Sequence, residues 1–333
     1  MEAVLLRKHE GEREQTMYIG RTGIPDVPTD YCLVRTKATA VNRADLLQKK
    51  GLYPPPRGAS PILGLEAAGV VERVGSGCRS VSVGDRVCAL LAGGGYAEYV
   101  AVHEGSVLRM PPSMSFVEAA AIPEVFLTSF QCLYTQGLVH ERGPCRILIH
   151  AGASGIGTAA TAMAVRDGHT VYVTVGSDEK CARCEELGAA DAFNYKTGSW
   201  ADWVLETTGG AGVDLVICCV GAPYFNDNLH VLAPGGRLVM LGFLGGARVE
   251  HAKLAHIVLK DLTIIGSTLR SKDPDYKAKL AQDFANRFWD DFSSGILSPV
   301  VDSTFSHTDI HQAHERVAQN LNIGKVVVTF GSG

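Results

Sequence analysis

Arg146-Ile147-Leu148-Ile149-His150-Ala151-Gly152-Ala153-Ser154-Gly155-Ile156-Gly157 is the stretch that decides the fold. A short apolar run ends in a glycine-rich turn, and the alanine-rich segment from Thr158 to Val165 follows as a helix. Strand, glycine turn and helix in this order form a dinucleotide-binding signature. Gly152 is expected to permit the tight turn, Gly155 to let a pyrophosphate approach the backbone, and Gly157 to let the helix lie close on the strand. The helix N-terminus offers unpaired N–H groups and a positive dipole end to phosphate. The first two glycines stand one residue further apart than in the plain G-x-G-x-x-G fingerprint, so the context must carry the reading.

From Arg146 to about Gly266 the hydrophobic period switches regularly. Strand-like runs are Arg146–His150, Thr170–Val175, 192–195, 213–220, 237–241 and 262–265. Helical runs at 155–167, 178–187, 200–207, 224–232 and 251–259 lie between them. Nearly all-apolar strands alternating with helices argue for a parallel sheet covered on both faces. Outside this region the composition changes. The first part is rich in Gly and Pro turn signals, such as Pro54-Pro55-Pro56 and Gly93-Gly94-Gly95, and reads as a mostly β domain. Residues 115–137 read as a helical bridge, and helices at 274–292 and 308–319 and a strand at 325–330 close the chain.

With 333 residues the chain has room for about two domains. Hydrophobic residues make up 46% and charged residues 20%, which suits a folded chain with large cores and excludes disorder. The net charge of −4 and the lack of a basic block weigh against a dedicated nucleic-acid binder. Met1–Arg7 reads as a strand rather than a signal peptide, and no apolar run reaches the ~18 residues that span a membrane. The nine cysteines sit mostly inside apolar segments, as in a reducing compartment, so a cytoplasmic location is expected.

Several motifs now line up in order: Asn42-Arg43-Ala44-Asp45, Gly51-Leu52-Tyr53-Pro54-Pro55, Gly64-Leu65-Glu66-Ala67-Ala68-Gly69, Val83-Gly84-Asp85-Arg86-Val87, Gly95-Tyr96-Ala97-Glu98-Tyr99-Val100, the glycine turn, and Asn322-Ile323-Gly324-Lys325. Together they resemble the zinc-free quinone oxidoreductase branch of the medium-chain dehydrogenase/reductase superfamily. Ile62-Leu63-Gly64-Leu65-Glu66, Asn194-Tyr195-Lys196 and Leu269-Arg270-Ser271 are most similar to the p53-inducible quinone oxidoreductase type. The resemblance implies an α/β protein with a discontinuous GroES-like, mostly β substrate domain (1–122 and 267–333) and a doubly wound, parallel-sheet Rossmann domain for the cofactor (123–266). It also implies a cofactor held in the cleft between them, and a homodimer built through the Rossmann domain. The late strand at 262–265 would then be a sheet edge, which is a liability unless paired.

Zinc-dependent relatives in that superfamily hold the ion with a Cys and a Gly-His-Glu. Here Leu65 stands at the histidine position, and 42–45 offers no cysteine. Cys181-x-x-Cys184 has no second pair nearby, and His311-x-x-His314 lacks a third ligand, so both read as ordinary helix faces. No metal is expected. Without a Lewis acid, alcohol oxidation is disfavoured. Reduction of an already electrophilic quinone or activated alkene needs chiefly that nicotinamide and acceptor be held in contact.

An NAD-preferring site places an acid about 20 residues on, at the tip of the second strand. Here the tip reads Gly176-Ser177, with Asp178 and Glu179 directly after it. In the resembled family a Ser, a Lys and a Tyr hold the 2′-phosphate, and Ser177, Lys180 and Tyr195 match them. NADPH is therefore the expected cofactor. By the same resemblance Asn42 and Tyr53 line the substrate side as catalytic-site residues. The turn Gly152, Ala153, Ser154, Gly155, Ile156 and Gly157 takes the pyrophosphate. Thr128, Gly242, Phe243, Leu244, Leu269, Arg270 and Lys325 complete the cofactor site. Glu66 reads as a buried organising group, and Asp45 as a helix cap.

Three functions remain open at this stage. They are NADPH:quinone oxidoreductase, NADPH-dependent reductase of α,β-unsaturated carbonyls, and a crystallin-like or nucleic-acid-binding protein. The partner in the first two is a small-molecule acceptor, with no membrane and nucleic acid disfavoured by the charge.

Overall fold

A computed structural model describes residues 1–11 and 13–331. They fall into two compact units, Met1–Leu127 with the segment from Leu269 onward, and Thr128–Thr268.

The first unit begins with an antiparallel pair, β1 (Glu2–Arg7) and β2 (Thr16–Arg21). The long strand β3 (Tyr31–Val41) runs into helix α1 (Arg43–Lys49). Then come β4 (Glu66–Val74), β5 (Arg86–Leu90), β6 (Tyr99–His103) and β7 (Val107–Arg109), and the short helix α2 (Phe116–Ala120). The β3–α1 junction is fixed by sequence chemistry. Asp45, at the third helical position, accepts the backbone N–H of the N-cap residue Asn42 at 2.8 Å. That closes one orphan donor of the first turn.

The boundary between the units falls within α3 (Pro123–Phe130), which continues as a π-helical turn over Gln131–Gln136. The second unit is a six-stranded parallel sheet. In chain order its strands are β8 (Arg146–His150), β9 (Thr170–Val175), β10 (Asp191–Asn194), β11 (Val213–Cys218), β12 (Leu232–Met240) and β13 (Thr263–Gly266). Across the sheet the order is β10-β9-β8-β11-β12-β13, which starts in the middle and winds outward both ways. Ile147, Leu148 and Ile149 are wholly buried, as expected where helices cover both faces. The helices are α4 (Gly155–Arg166), α5 (Asp178–Glu186), α6 (Trp200–Thr207), α7 (Phe225–Val231) and α8 (Ala255–Leu259). Serines cap three of them: Ser154, Ser177 and Ser199 accept N–H groups from Gly157, Lys180 and Asp202.

One helix is shorter than its sequence suggests. The run 251–259 becomes helix only at Ala255. The side chain of Asn226 explains this: it donates to His251 O at 2.8 Å and accepts Lys253 N–H at 2.9 Å. Those two backbone groups are thereby held outside a helical ladder.

The chain then returns to the first unit with α9 (Pro274–Ser294), β14 (Val301–Ser306), α10 (Ile310–Ala318) and β15 (Lys325–Thr329). Helix α9 is started by Asp273 and Pro274 and ended by Gly295 at φ 78°. Strand β15 pairs antiparallel with the second half of β3, and β6 pairs with the first half. A seven-stranded sheet results. The last segment is therefore an integral part of the first unit.

Candidate functional site

In the second unit the glycine turn has the expected path but divides its labour differently. Ala151, not Gly152, takes the left-handed conformation, at φ 57°. Gly152 is needed for packing, since a Cβ there would lie 2.4 Å from Val173 Cβ on the neighbouring strand. Gly157 does what its position suggests: a Cβ on it would lie 2.3 Å from Gly152 O, so only glycine lets α4 start this close to β8. Ser154 Oγ accepts Gly157 N–H at 3.0 Å and Thr158 N–H goes to Ser154 O, which leaves the N–H groups of Gly155 and Ile156 at the open end of the helix. Ala153 is buried in the turn. Polar groups aimed outward from a helix N-terminus suit a pyrophosphate.

At the tip of β9 the chain turns through Gly176 and Ser177. Tyr195, next after β10, donates its N–H to Val175 O at 3.0 Å. Its hydroxyl reaches so near the turn that a Cβ on Gly176 would lie 2.8 Å from it. Ser177 and Lys180 are joined through the Ser177 cap. Tyr195 thus reaches the turn at Gly176, and Ser177 caps the helix whose first turn carries Lys180. Asp178, the acid that could compete for a ribose, is tied to the end of β10: its Oδ1 accepts a hydrogen bond from Asn194 Nδ2 at 2.8 Å. Beyond β12, Gly242, Phe243 and Leu244 form a loop tied back by Leu244 N–H to Cys219 O, with Phe243 and Leu244 largely exposed. Thr128 opens the second unit and is buried.

The remaining residues singled out in the sequence lie in the first unit, in two clusters. Asn42, Glu66 and Lys325 form the first, all buried. Lys325 Nζ donates to Asn42 Oδ1 at 2.6 Å and to Glu66 Oε1 at 2.7 Å. Asn42 Nδ2 donates to Glu66 Oε1 at 2.8 Å, and Glu66 Oε2 accepts Glu124 N–H at 2.8 Å. With a cation on one side and an anion on the other, the orientation of the Asn42 amide is determined. Its donors are engaged, so the capacity it retains is that of an acceptor on Oδ1, suited to a hydroxyl rather than a carbonyl. Asp45 lies beside this cluster, accepting Gly64 N–H at 2.9 Å as well as Asn42 N–H. Burial pushes its carboxyl up to about 6.

Arg270 and Tyr53 form the second cluster. The Arg270 guanidinium stacks over the Tyr53 ring at 5.2 Å, donates from Nε to Ala92 O at 2.8 Å and from an Nη to Gln48 Oε1 at 2.6 Å. Leu269 is buried beside it in sequence. Burial raises the Tyr53 phenol above its ordinary range, and the arginine opposes that shift. Gln48 carried no signal in the sequence, because one glutamine in an amphipathic helix is indistinguishable from a solvated one.

His314 departs from the expected solvated face. It is buried, its Nε2 lies 3.0 Å from Tyr96 Oη, and burial lowers it to about 3. Its partner in the spacing, His311, is exposed. A catalytic zinc does not fit the first unit's donor set. Leu65 is buried and apolar, and the ammonium of Lys325 already lies against Glu66. Among the described residues no group of three His, Cys, Asp or Glu could hold a metal ion.

Two family models match the chain: "Alcohol dehydrogenase GroES-like domain" over residues 28–112 and "Zinc-binding dehydrogenase" over 155–286. A solved NAD-dependent alcohol dehydrogenase is 30% identical with a TM-score of 0.85, over 99% of this chain and all of that one. The quinone oxidoreductase of Escherichia coli, solved in complex with NADPH, is 27% identical with a TM-score of 0.85 over 99% of this chain and 100% of its own. The CurK enoyl reductase is 25% identical with a TM-score of 0.83, over 99% of both chains. A highly-reducing polyketide synthase of Aureobasidium melanogenum is 31% identical over 90% of this chain, which spans only 13% of that much longer protein.

Proposed function

The chain belongs to the medium-chain dehydrogenase/reductase superfamily, and on that premise we propose that it is an NADPH-dependent, zinc-independent quinone oxidoreductase. The observation that carries the reading is the tip of β9, where Tyr195 reaches Gly176 and Ser177 caps the helix that carries Lys180, while Asp178 is tied to Asn194. When bound, the reduced nicotinamide supplies a hydride to the acceptor.

The residues of the chain bind and orient. The N–H groups of Gly155 and Ile156 take the pyrophosphate, with Gly152, Ala153, Ser154 and Gly157 shaping the turn. Ser177, Lys180 and Tyr195 take the 2′-phosphate. Thr128 and the Gly242-Phe243-Leu244 loop serve the nicotinamide end. Tyr53 offers a stacking face to a planar quinone, and Asn42 accepts a hydrogen bond from a hydroxyl. Arg270 and Lys325 act at one remove, by fixing Tyr53 and Asn42. A quinone needs no metal to accept electrons, which suits a first unit whose zinc position holds Leu65. The acceptor is a small molecule, and the protein is proposed to be a cytoplasmic homodimer.

Reduction of α,β-unsaturated carbonyls is a second reading, favoured by the likeness to the CurK enoyl reductase. NADPH oxidation by the purified protein, screened over quinones and alkenals, tests both. Turnover with 1,2- or 1,4-quinones and little with alkenals supports the first. The reverse pattern selects the second, and no turnover with either class removes both.

A further inference from the structure

Asp178 follows the Gly176-Ser177 tip of β9, close in sequence to the place where a carboxylate ordinarily selects against a 2′-phosphate. It is the first helical residue of α5, directly after Ser177, and it is exposed. Left to its own rotamers it could swing toward the turn. There it would repel a phosphate and accept a hydrogen bond from an unphosphorylated ribose. In the structure its Oδ1 accepts a hydrogen bond from Asn194 Nδ2 at 2.8 Å, which holds the side chain toward the end of β10.

The orientation of Asn194 is itself determined. Its Oδ1 accepts Lys196 N–H at 3.2 Å, which leaves its amide nitrogen for the carboxylate. Thr197 N–H and Oγ1 donate to Asn194 O at 3.0 and 2.8 Å, closing the turn at the end of β10. Asn194 pairs in register with Val175, the last residue of β9, so its side chain starts level with the strand tip. The tether thus holds the carboxylate at the end of β10, level with the tip of β9.

We propose that Asn194 is a specificity-determining positioning residue: by tethering Asp178 it keeps an acidic strand tip open to a 2′-phosphorylated cofactor. The inference rests on the NADPH reading above, and concerns what sets the preference rather than its existence.

Cofactor fluorescence titration of the wild type, Asn194→Ala, Asn194→Ser, Asp178→Ala and Asn194→Ala/Asp178→Ala tests it. The serine keeps a hydroxyl for the Lys196 turn but is too short to hold Asp178. Either single change at Asn194 lowers the NADPH:NADH affinity ratio roughly three- to tenfold, the effect of one freed, solvent-screened carboxylate near a phosphate. The double variant returns the ratio to that of Asp178→Ala. An unchanged ratio in both Asn194 variants, a proportional loss of both cofactors, or a double variant that stays low overturns the proposal. A wild-type ratio near one defeats the NADPH reading instead, and the tether is then still judged by the shift its removal causes.

Discussion

The ammonium of Lys325 lies 2.7 Å from Glu66 Oε1, with both side chains buried, and joins the last strand of the chain to β4 across 259 residues of sequence. Breaking a buried pair by removing one partner leaves an uncompensated charge, at a cost of about 3–5 kcal/mol. Lys325→Met is therefore expected to destabilise the first unit by about that amount. Lys325→Met/Glu66→Gln, which removes both charges, should recover part of the loss. Chemical denaturation followed by tryptophan fluorescence measures both. Equal stability of Lys325→Met and the wild type would show that the pair contributes nothing.

The buried histidines are expected to make the protein acid-labile. His150 is held neutral between Thr174 Oγ1 at 2.8 Å and Asn228 Oδ1 at 2.7 Å, and burial lowers it to about 4. His314 is lowered to about 3. Below pH ~6.5 the unfolded chain takes up protons that the folded chain refuses, so stability falls as pH drops toward the folded values. A shift of one unit corresponds to 1.36 kcal/mol, which makes each histidine worth about 3–5 kcal/mol across that window. Asp45, raised to about 6, acts the other way and stabilises as pH falls from 6 to about 4, by about 3 kcal/mol. Two histidines outweigh one aspartate. Thermal midpoints between pH 7 and 4 should decline, and less steeply in His314→Gln, which keeps a partner for Tyr96 without a titration. The same slope in both proteins would refute the assignment.

Much of this was legible in the sequence, for identifiable reasons. The strands of the parallel sheet announced themselves because they are buried on both faces, which makes them continuous apolar runs. The capping role of Asp45 was equally readable, since it acts on a residue three positions away. What the sequence hid was long-range. Arg270 reaches Gln48 and Lys325 reaches Asn42 through pairings set by the return of the last segment, and no local pattern encodes that return. His314 looked like a solvated helix residue because its partner, Tyr96, is 218 positions away. The sequence gives Gly152 the task of permitting the tight turn, whereas Ala151 takes the left-handed conformation and the crowding of Val173 gives Gly152 a packing task.

No stoichiometric zinc is expected after dialysis. Leu65 has no lone pair to donate, and the ammonium of Lys325 already lies against Glu66 beside it. Elemental analysis returning about one zinc per chain would overturn this.

A homodimer should form through the edge strand β13. Among the described residues that edge has no further strand beside it, and exposed Ile264 lies on it. Leu254, Val258 and Leu259, at and on the nearby helix α8, are 62%, 79% and 83% exposed. Such an apolar edge invites pairing with a second copy. Sedimentation at micromolar concentration should give the dimer, and Ile264→Lys should weaken it. A monomeric wild type under those conditions would remove the prediction.

NADPH should bind at least about tenfold more tightly than NADH, a difference of about 1.4 kcal/mol. A charged hydrogen bond from Lys180 to the 2′-phosphate is worth about 1.5–3 kcal/mol, enough to supply that ratio by itself. Lys180→Ala should therefore remove most of the preference and leave NADH binding nearly unchanged, since NADH has no phosphate there to lose. Salt should weaken NADPH more than NADH in the wild type, because the pair is partly exposed and screened. In Lys180→Ala that difference in salt dependence should shrink with the preference. Fluorescence titration of both cofactors at low and high salt decides the matter. Equal affinities in the wild type would mean that Asp178 or Glu179 reaches the ribose after all.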